Sequence, residues 1–162
     1  MVPIMALLSR EKGARFAAMA NRFALSRHSL ARTLGQLRDW GWVAPNPGHG
    51  HPLRPEYVLT DSGLPVGGVC DRIMAERERM GLEPAQLPRW SLPLIAGIGG
   101  DWLRFGDLRD RLDPVTPRAL SLTLQQMVGQ DLVGRRLEPG FAMVPRYGLT
   151  DRGSDLAAAL TG

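Results

Sequence analysis

The chain has 162 residues, 44% of them hydrophobic and 22% charged, with 19 glycines, 13 prolines and one cysteine. This globular composition excludes a disordered tail, a collagen-like repeat and a coiled-coil rod, and the length accommodates one medium domain or two small ones. The net charge is +4, and Lys12 is the only lysine, so the basic residues are otherwise arginines.

In chain order, helices are expected over Ile4–Lys12 and Arg15–Phe23. A longer helix starts at Ser26, with Leu30, Leu34 and Leu37 forming one apolar stripe, and ends near Gly41. A β-type run over Trp42–Ala44, a turn-rich stretch Pro45–Gly50 and a strand ending at Tyr57-Val-Leu59 predict a β-hairpin with a long tip. Thr60-Asp61 caps one more helix, with Val66, Val69, Ile73, Arg77 and Met80 along one side. Gly67-Gly68 weakens its start by about 1 kcal/mol per glycine. Gly81–Pro88 reads as a linker stiffened by Pro84 and Pro88.

The order then recurs. Helices are expected over Leu92–Gly99 and Phe105–Leu112, and a third starts at Thr116 with Pro117 in the first helical position. Its stripe is Leu120, Leu124 and Met127, and it ends near Gly129. A strand over Leu132–Arg136, a turn at Leu137–Gly140 and a strand ending at Tyr147-Gly-Leu149 follow. Thr150-Asp151 caps a final helix that stops near Leu160, which leaves little for a large dimer interface at that end.

The recurrence is visible residue by residue. At a constant offset of 90, Ser26–Gly63 aligned on Thr116–Gly153 gives 12 identities in 38 positions without a gap, including Leu30/Leu120, Thr33/Thr123, Gln36/Gln126 and Pro55/Pro145. Tyr57-Val-Leu-Thr-Asp-Ser-Gly63 meets Tyr147-Gly-Leu-Thr-Asp-Arg-Gly153, and with one residue dropped Arg15-Phe16 meets Arg104-Phe105. The expected fold is mainly α with small β-hairpin wings (α+β), as tandem winged helix-turn-helix domains. The first domain covers 1–80 with its connecting helix, the linker 81–89 and the second domain 90–162. The connecting helix is expected to pack the two copies together.

Thr116-Pro-Arg-Ala-Leu-Ser121, Leu124, Leu132-Val133, Arg135, Pro145 and Tyr147-x-Leu-Thr-Asp-x-Gly153 resemble the HxlR-type transcriptional regulators. Trp90, Leu94 and Arg104-Phe105-x-x-Leu108 extend the resemblance upstream, whereas the first half resembles the family chiefly through its wing strand and Tyr57–Gly63. The resemblance implies a bacterial DNA-binding protein. Members with a single copy dimerise on DNA, so two copies in one chain resemble such a dimer covalently fused. The family's usual N-terminal cysteine has no counterpart here, and thiol sensing is not carried over.

On a helical wheel, the face opposite the first stripe carries His28, Arg32, Gly35 and Asp39, flanked by Ser29 and Gln36, with Arg27 in the first turn. These types hydrogen-bond base edges or phosphates; the plain alternative is a solvated helix face. In the second helix the matching positions are Arg118, Leu122, Gln125 and Gly129, with Ser121 and Gln126 beside them. Leu122 either meets a thymine methyl or marks a face that packs on protein. The first wing, Asn46–Arg54, ends in Arg54, which suits phosphate or the minor groove. The second carries Leu137, Phe141, Met143 and Val144, with Arg135-Arg136 at its base. Before and including Gly81 there are 11 basic and 7 acidic residues, and after it nine of each, so the first copy supplies the electrostatic attraction. The candidate DNA-binding residues are therefore Arg27, His28, Ser29, Arg32, Gln36, Arg54, Arg118, Ser121, Gln125, Arg135 and Arg136.

Other signals have plainer explanations. His49-Gly-His51, even with His28 or Cys70, lacks the paired sets of a zinc site. Gly97-Ile-Gly-Gly100 lacks the phosphate-loop lysine and reads as a helix-ending turn. Asp107, Asp110 and Asp113 are interleaved with Arg109 and Arg111 as a self-neutralised helix face. Cys70 reads as a small core hydrophobe. Nothing forms a catalytic constellation, so no enzyme, no metal and no cofactor is expected. The longest apolar run, Leu92–Ile98, is broken by Pro93 and Gly97, and Met1–Leu8 lacks a signal peptide's basic flank, so a soluble cytoplasmic protein is expected. The expected function is sequence-specific double-stranded DNA binding for transcriptional control, with no membrane partner and with a homodimer or protein partner meeting the apolar second wing. The alternative is a winged-helix assembly module with little DNA specificity.

Overall fold

Leucines four and seven apart dictate the centre of each half of the chain, because a helix that carries them must bury that side. In the computed structural model, which describes residues 1–46, 56–139 and 143–162, these helices are α3 (Arg27–Asp39) and α7 (Pro117–Gly129). Leu30, Leu34 and Leu37 are buried in one, and Leu120, Leu124 and Met127 in the other.

The chain divides into two units, Met1–Ala75 and Glu76–Gly162. The first contains α1 (Val2–Glu11), β1 (Ala14–Arg15), α2 (Phe16–Arg22), α3, β2 (Val43–Pro45) and β3 (Glu56–Leu59), followed by α4 (Gly63–Arg79), which runs across the division. The second contains a 3₁₀ turn (Pro84–Gln86), α5 (Ser91–Ile98), β4 (Leu103–Arg104), α6 (Phe105–Arg111), α7, β5 (Val133–Glu138), β6 (Val144–Leu149) and α8 (Asp151–Thr161). Each unit has one antiparallel three-stranded sheet, ordered β1-β3-β2 and β4-β6-β5. The registers correspond: Val43 pairs with Leu59 and Ala14 with Tyr57, as Val133 pairs with Leu149 and Leu103 with Tyr147. Three helices and a hairpin in this order make the element sequence of a winged helix-turn-helix. No helix among the described residues is long and apolar enough to cross a membrane.

The ends of α3 and α7 are fixed by local chemistry. Ser26 Oγ accepts from Ser29 N at 3.1 Å and Thr116 Oγ1 from Ala119 N at 3.2 Å, satisfying amides that have no partner within the helix. At the other end Gly41 N donates to Arg38 O and Trp42 N to Leu37 O; Asp131 N and Leu132 N do the same to Val128 O and Met127 O. This paired closure places one residue at positive φ, Gly41 at 73° and Asp131 at 56°. The second helix ends at Gly129 as expected, and the left-handed position beyond it falls to an aspartate, Asp131.

The repeated Thr-Asp-x-Gly has a structural reason. Thr60 Oγ1 accepts from Gly63 N at 3.1 Å and Thr150 Oγ1 from Gly153 N at 3.0 Å. The same hydroxyls donate to Gly41 O and Asp131 O at 2.5 and 2.7 Å, tying the new helix to the turn after α3 or α7. The threonine N–H groups donate to Trp42 O and Leu132 O. A Cβ on Gly63 would lie 2.0 Å from Trp42 O, and one on Gly153 1.9 Å from Leu132 O, so only glycine lets backbone meet backbone there. In α4, Gly67 is also a close approach, since a Cβ there would meet Leu59 Cδ1 at 2.4 Å.

The sequence reading missed β1 and β4, two residues each, which exist only through pairing to β3 and β6. Residues 81–89, expected as a linker stiffened by Pro84 and Pro88, contain the 3₁₀ turn Pro84–Gln86. Leu82 is buried, and the turn that follows is closed by Glu83 N donating to Gln86 Oε1 at 2.7 Å, while Gln126 Nε2 reaches Ala85 O at 3.2 Å. Beside β4 the two units exchange bulk. In the first, Gly13 faces Val58, with 3.2 Å from its notional Cβ to Val58 Cγ1; in the second, Trp102 lies on Gly148, where a Cβ would come within 2.6 Å of the ring.

Two outcomes are expected from urea unfolding. Gly153→Ala costs about 3 kcal/mol through overpacking against a carbonyl that cannot move, whereas Gly35→Ala, which meets nothing within 4 Å, stabilises by about 1 kcal/mol; equal effects would refute the backbone contact. Gly148→Val and Trp102→Gly each destabilise, and the double variant loses less than their sum by about 1 kcal/mol or more; strict additivity would refute the exchange of bulk.

Candidate nucleic-acid interface

Holding the leucine stripe of α3 inward turns the opposite side to solvent. Arg27, His28, Ser29, Arg32 and Gln36 are all exposed, and Gly35 between them is half-buried. Ser29 is partly committed to the cap: its hydroxyl accepts from Ser26 Oγ at 2.9 Å and its carbonyl accepts from Thr33 Oγ1 at 3.0 Å. Arg27, His28, Arg32 and Gln36 have no side-chain hydrogen bond or ion pair with any described residue. The face therefore presents two guanidiniums, an imidazole and an amide with donors unengaged. Arg54, His49 and His51 lie outside the described residues, as does Phe141 of the second wing.

On α7 the exposed side carries Arg118, Ser121, Leu122 and Gln125. Leu122 is 55% exposed where α3 has Arg32. The flanking Gln126 is directed to Ala85 O and does not belong to this face. Ser121 and Gln125 share a cleft of about 290 Å³ with Arg135 of β5, its floor formed by Leu124 and Val128. Phe105 at the start of α6 and Tyr147 of β6 supply its aromatic walls. Three of the candidate residues thus converge between the exposed helix and the wing. Arg135 pairs across the hairpin with Tyr147, and its alternation places Arg136 on the other face of the sheet.

Arg136 stacks there on Trp102, its guanidinium carbon 4.2 Å from the ring centroid. Such a cation–π contact restrains the long side chain while leaving its N–H edge outward. Arg146 beside it is spent internally, on Trp102 O at 2.9 Å and Glu138 at 2.5 Å. Sequence reasoning missed Trp102, Phe105, Val128 and Tyr147 as parts of the site. Arg104-Phe105 and Tyr147 stood out in the repeat, but repetition there was absorbed by the fold.

The remaining candidate chemistry resolves into structure. Asp107 accepts from Arg104 N at 3.0 Å, and Asp110 pairs with Arg109. Cys70 is buried in the core of the first unit, and burial pushes its thiol pKa up, away from the reactive thiolate. On the second wing, Leu137 and Met143 are 45% and 67% exposed.

Solved structures similar to this chain include the following two. One is a protein described as a transcriptional regulator of the MarR family from Enterococcus faecalis V583, 27% identical, covering 55% of this chain and 76% of that one with a TM-score of 0.45. The other is the diamide-treated YodB from B. subtilis, 22% identical, covering 48% and 77% with a TM-score of 0.44. No curated protein matches the chain. Residues 87–162, just under half of the chain and nearly all of the second unit, match the family model of the HxlR-like helix-turn-helix.

Proposed function

We propose that the protein is a DNA-binding transcriptional regulator that reads duplex DNA with two tandem winged helix-turn-helix domains, acting as a covalent pseudo-dimer. The observation that carries this reading is the exposed face of α3 on which the side chains of Arg27, His28, Arg32 and Gln36 have no partner among the described residues, held outward by a buried leucine stripe. The match of residues 87–162 to a helix-turn-helix family and the common element order of the two units support it.

In this mechanism α3 and α7 enter the major groove from their N-terminal turns, so that Arg27, His28, Ser29, Arg32 and Gln36 meet bases and phosphates on one half-site. Arg118, Ser121 and Gln125 do so on the other. Arg54, Arg135 and Arg136 of the wings contact the flanking backbone and release counterions. Two domains on one chain address half-sites about one helical turn apart. The site is asymmetric because Leu122 stands where the first domain has Arg32.

One observation favours a second role for the second domain. Leu122, Leu137 and Met143 are exposed on it, and its half of the chain is neutral, which is the composition of a surface that meets protein. The first domain accordingly supplies most of the affinity. Fluorescence anisotropy on a duplex selected from a random pool tests this. Arg32→Glu and Arg54→Glu together abolish binding, and Arg118→Glu alone weakens it by about tenfold or less, the lower end of what one base-reading arginine contributes. Equal losses would refute the division of labour, and failure to select any duplex would leave the assembly module as the function.

A further inference from the structure

We propose that the two exposed helices select different groups at one matched position of their half-sites: Arg32 of α3 takes the edge of a guanine, and Leu122 of α7 takes the 5-methyl group of a pyrimidine, which in unmodified DNA is thymine. This rests on the reading of α3 and α7 as groove-facing helices and names what each of them chooses there.

The two side chains occupy the same place in the same scaffold. Each is the sixth residue after its capping hydroxyl, Ser26 for α3 and Thr116 for α7. The stripes that set helix rotation correspond at the offset of 90, Leu30 to Leu120, Leu34 to Leu124 and Leu37 to Met127, and all six side chains are buried. Both helices close with the same pair of backbone hydrogen bonds, donated by Gly41 and Trp42 in one and by Asp131 and Leu132 in the other. A residue in the second turn of such a helix comes within reach of base edges when the N-terminal end enters the major groove. With start, rotation and end alike, the difference at this position is one of chemistry.

That chemistry is opposite in kind. Arg32 is exposed and has no partner among the described residues, so its planar fork is available to N7 and O6 of guanine, the acceptor pair that it matches. Leu122 is 55% exposed and its side chain has no hydrogen-bonding atom. The apolar feature among the base edges of the major groove is the C5-methyl of thymine. Against any other edge a leucine would cover donors or acceptors without satisfying them, which is unfavourable.

The surroundings of Leu122 suit DNA better than a protein partner. Its neighbours one turn away are Arg118 and Gln125, with Ser121 beside it, and all three are exposed. Arg135 stands over the same side, sharing a cleft with Ser121 and Gln125. Neither Arg118 nor Arg135 has a carboxylate partner among the described residues. The leucine is thus framed by unneutralised positive charge and neutral hydrogen-bonding groups, the complement of a base edge between two phosphate backbones. The exposed Leu137 and Met143 belong to the wing instead.

The test uses the full chain and a duplex selected from a random pool, with affinity read by fluorescence anisotropy. Each thymine in turn is replaced by deoxyuridine, which removes the 5-methyl group and nothing else. One position in one half-site is expected to lose about fourfold in affinity, the effect of burying a single methyl group. With a cytosine–guanine pair placed there, methylation of the cytosine at C5 is expected to raise affinity. Leu122→Ala binds the thymine and uracil duplexes equally, because the shortened side chain no longer reaches the methyl. Leu122→Arg moves the preference at that position to guanine by about tenfold, within what one bidentate contact contributes, and Arg32→Leu makes the matched position of the other half-site sensitive to the thymine methyl. Circular dichroism reports that the three variants are folded. A bound duplex in which no uracil replacement matters, or whose sensitive position is unchanged in Leu122→Ala, overturns the assignment and leaves DNA binding standing. Leu122→Ala that keeps the thymine preference and instead splits an oligomer in sedimentation shows a protein-facing leucine and overturns it as well. A chain that selects no duplex at all refutes the DNA reading, and this inference falls with it.

Discussion

Everything functional in this chain depends on burial of one narrow stripe on each of two helices. Leu30, Leu34 and Leu37, and Leu120, Leu124 and Met127, are all at most 3% exposed, and each such side chain contributes about 2–3 kcal/mol when removed from water. No polar contact among the described residues has a comparable grip on these helices. The caps at Ser26 and Thr116 and the paired closures at Gly41 and Asp131 fix where the helices begin and end, and the stripe fixes their rotation. Once rotation is set, the identity of the outward residues is no longer a matter of folding. That freedom is what allows α3 to carry Arg32 and α7 to carry Leu122 at matching positions in the same scaffold.

The parts legible from the amino-acid order are those with a period or a local chemical rule. The leucine spacing marked both central helices, Thr116-Pro117 marked a start, and the recurrent Tyr-x-Leu-Thr-Asp-x-Gly marked a junction. Its meaning emerged only in three dimensions, where threonine closes a turn on both sides and glycine admits a carbonyl within 2.0 Å of where a Cβ would sit. What escaped had no local signal. β1 and β4 are two residues long and owe their existence to distant partners. Asp131 occupies a left-handed position where glycine would be the expected marker, and Leu82 is buried inside a stretch whose prolines read as linker.

The candidate site shows the same divide. Exposure of Arg27, His28, Arg32 and Gln36 followed from helical geometry alone, since these positions lie opposite the stripe. Convergence of Ser121, Gln125 and Arg135 did not, because it requires the wing to fold back beside α7. Trp102 was silent in the sequence, yet its ring fills the space left by Gly134 and Gly148 and carries Arg136 on its face. The two units thus share a frame and differ in dressing. One presents a compact group of cations, and the other places a single arginine over an apolar cleft with exposed leucines nearby.

The most direct measurement is the salt dependence of affinity for duplex DNA, taken on the full chain between about 50 and 200 mM salt. If Arg27, Arg32, Arg54, Arg118, Arg135 and Arg136 neutralise phosphates, log K falls against log salt with a slope of about −5, close to −0.9 for each contact. A flat or shallow dependence would mean that the outward arginines do not meet a polyanion, and the reading of both helices as DNA-facing would be wrong.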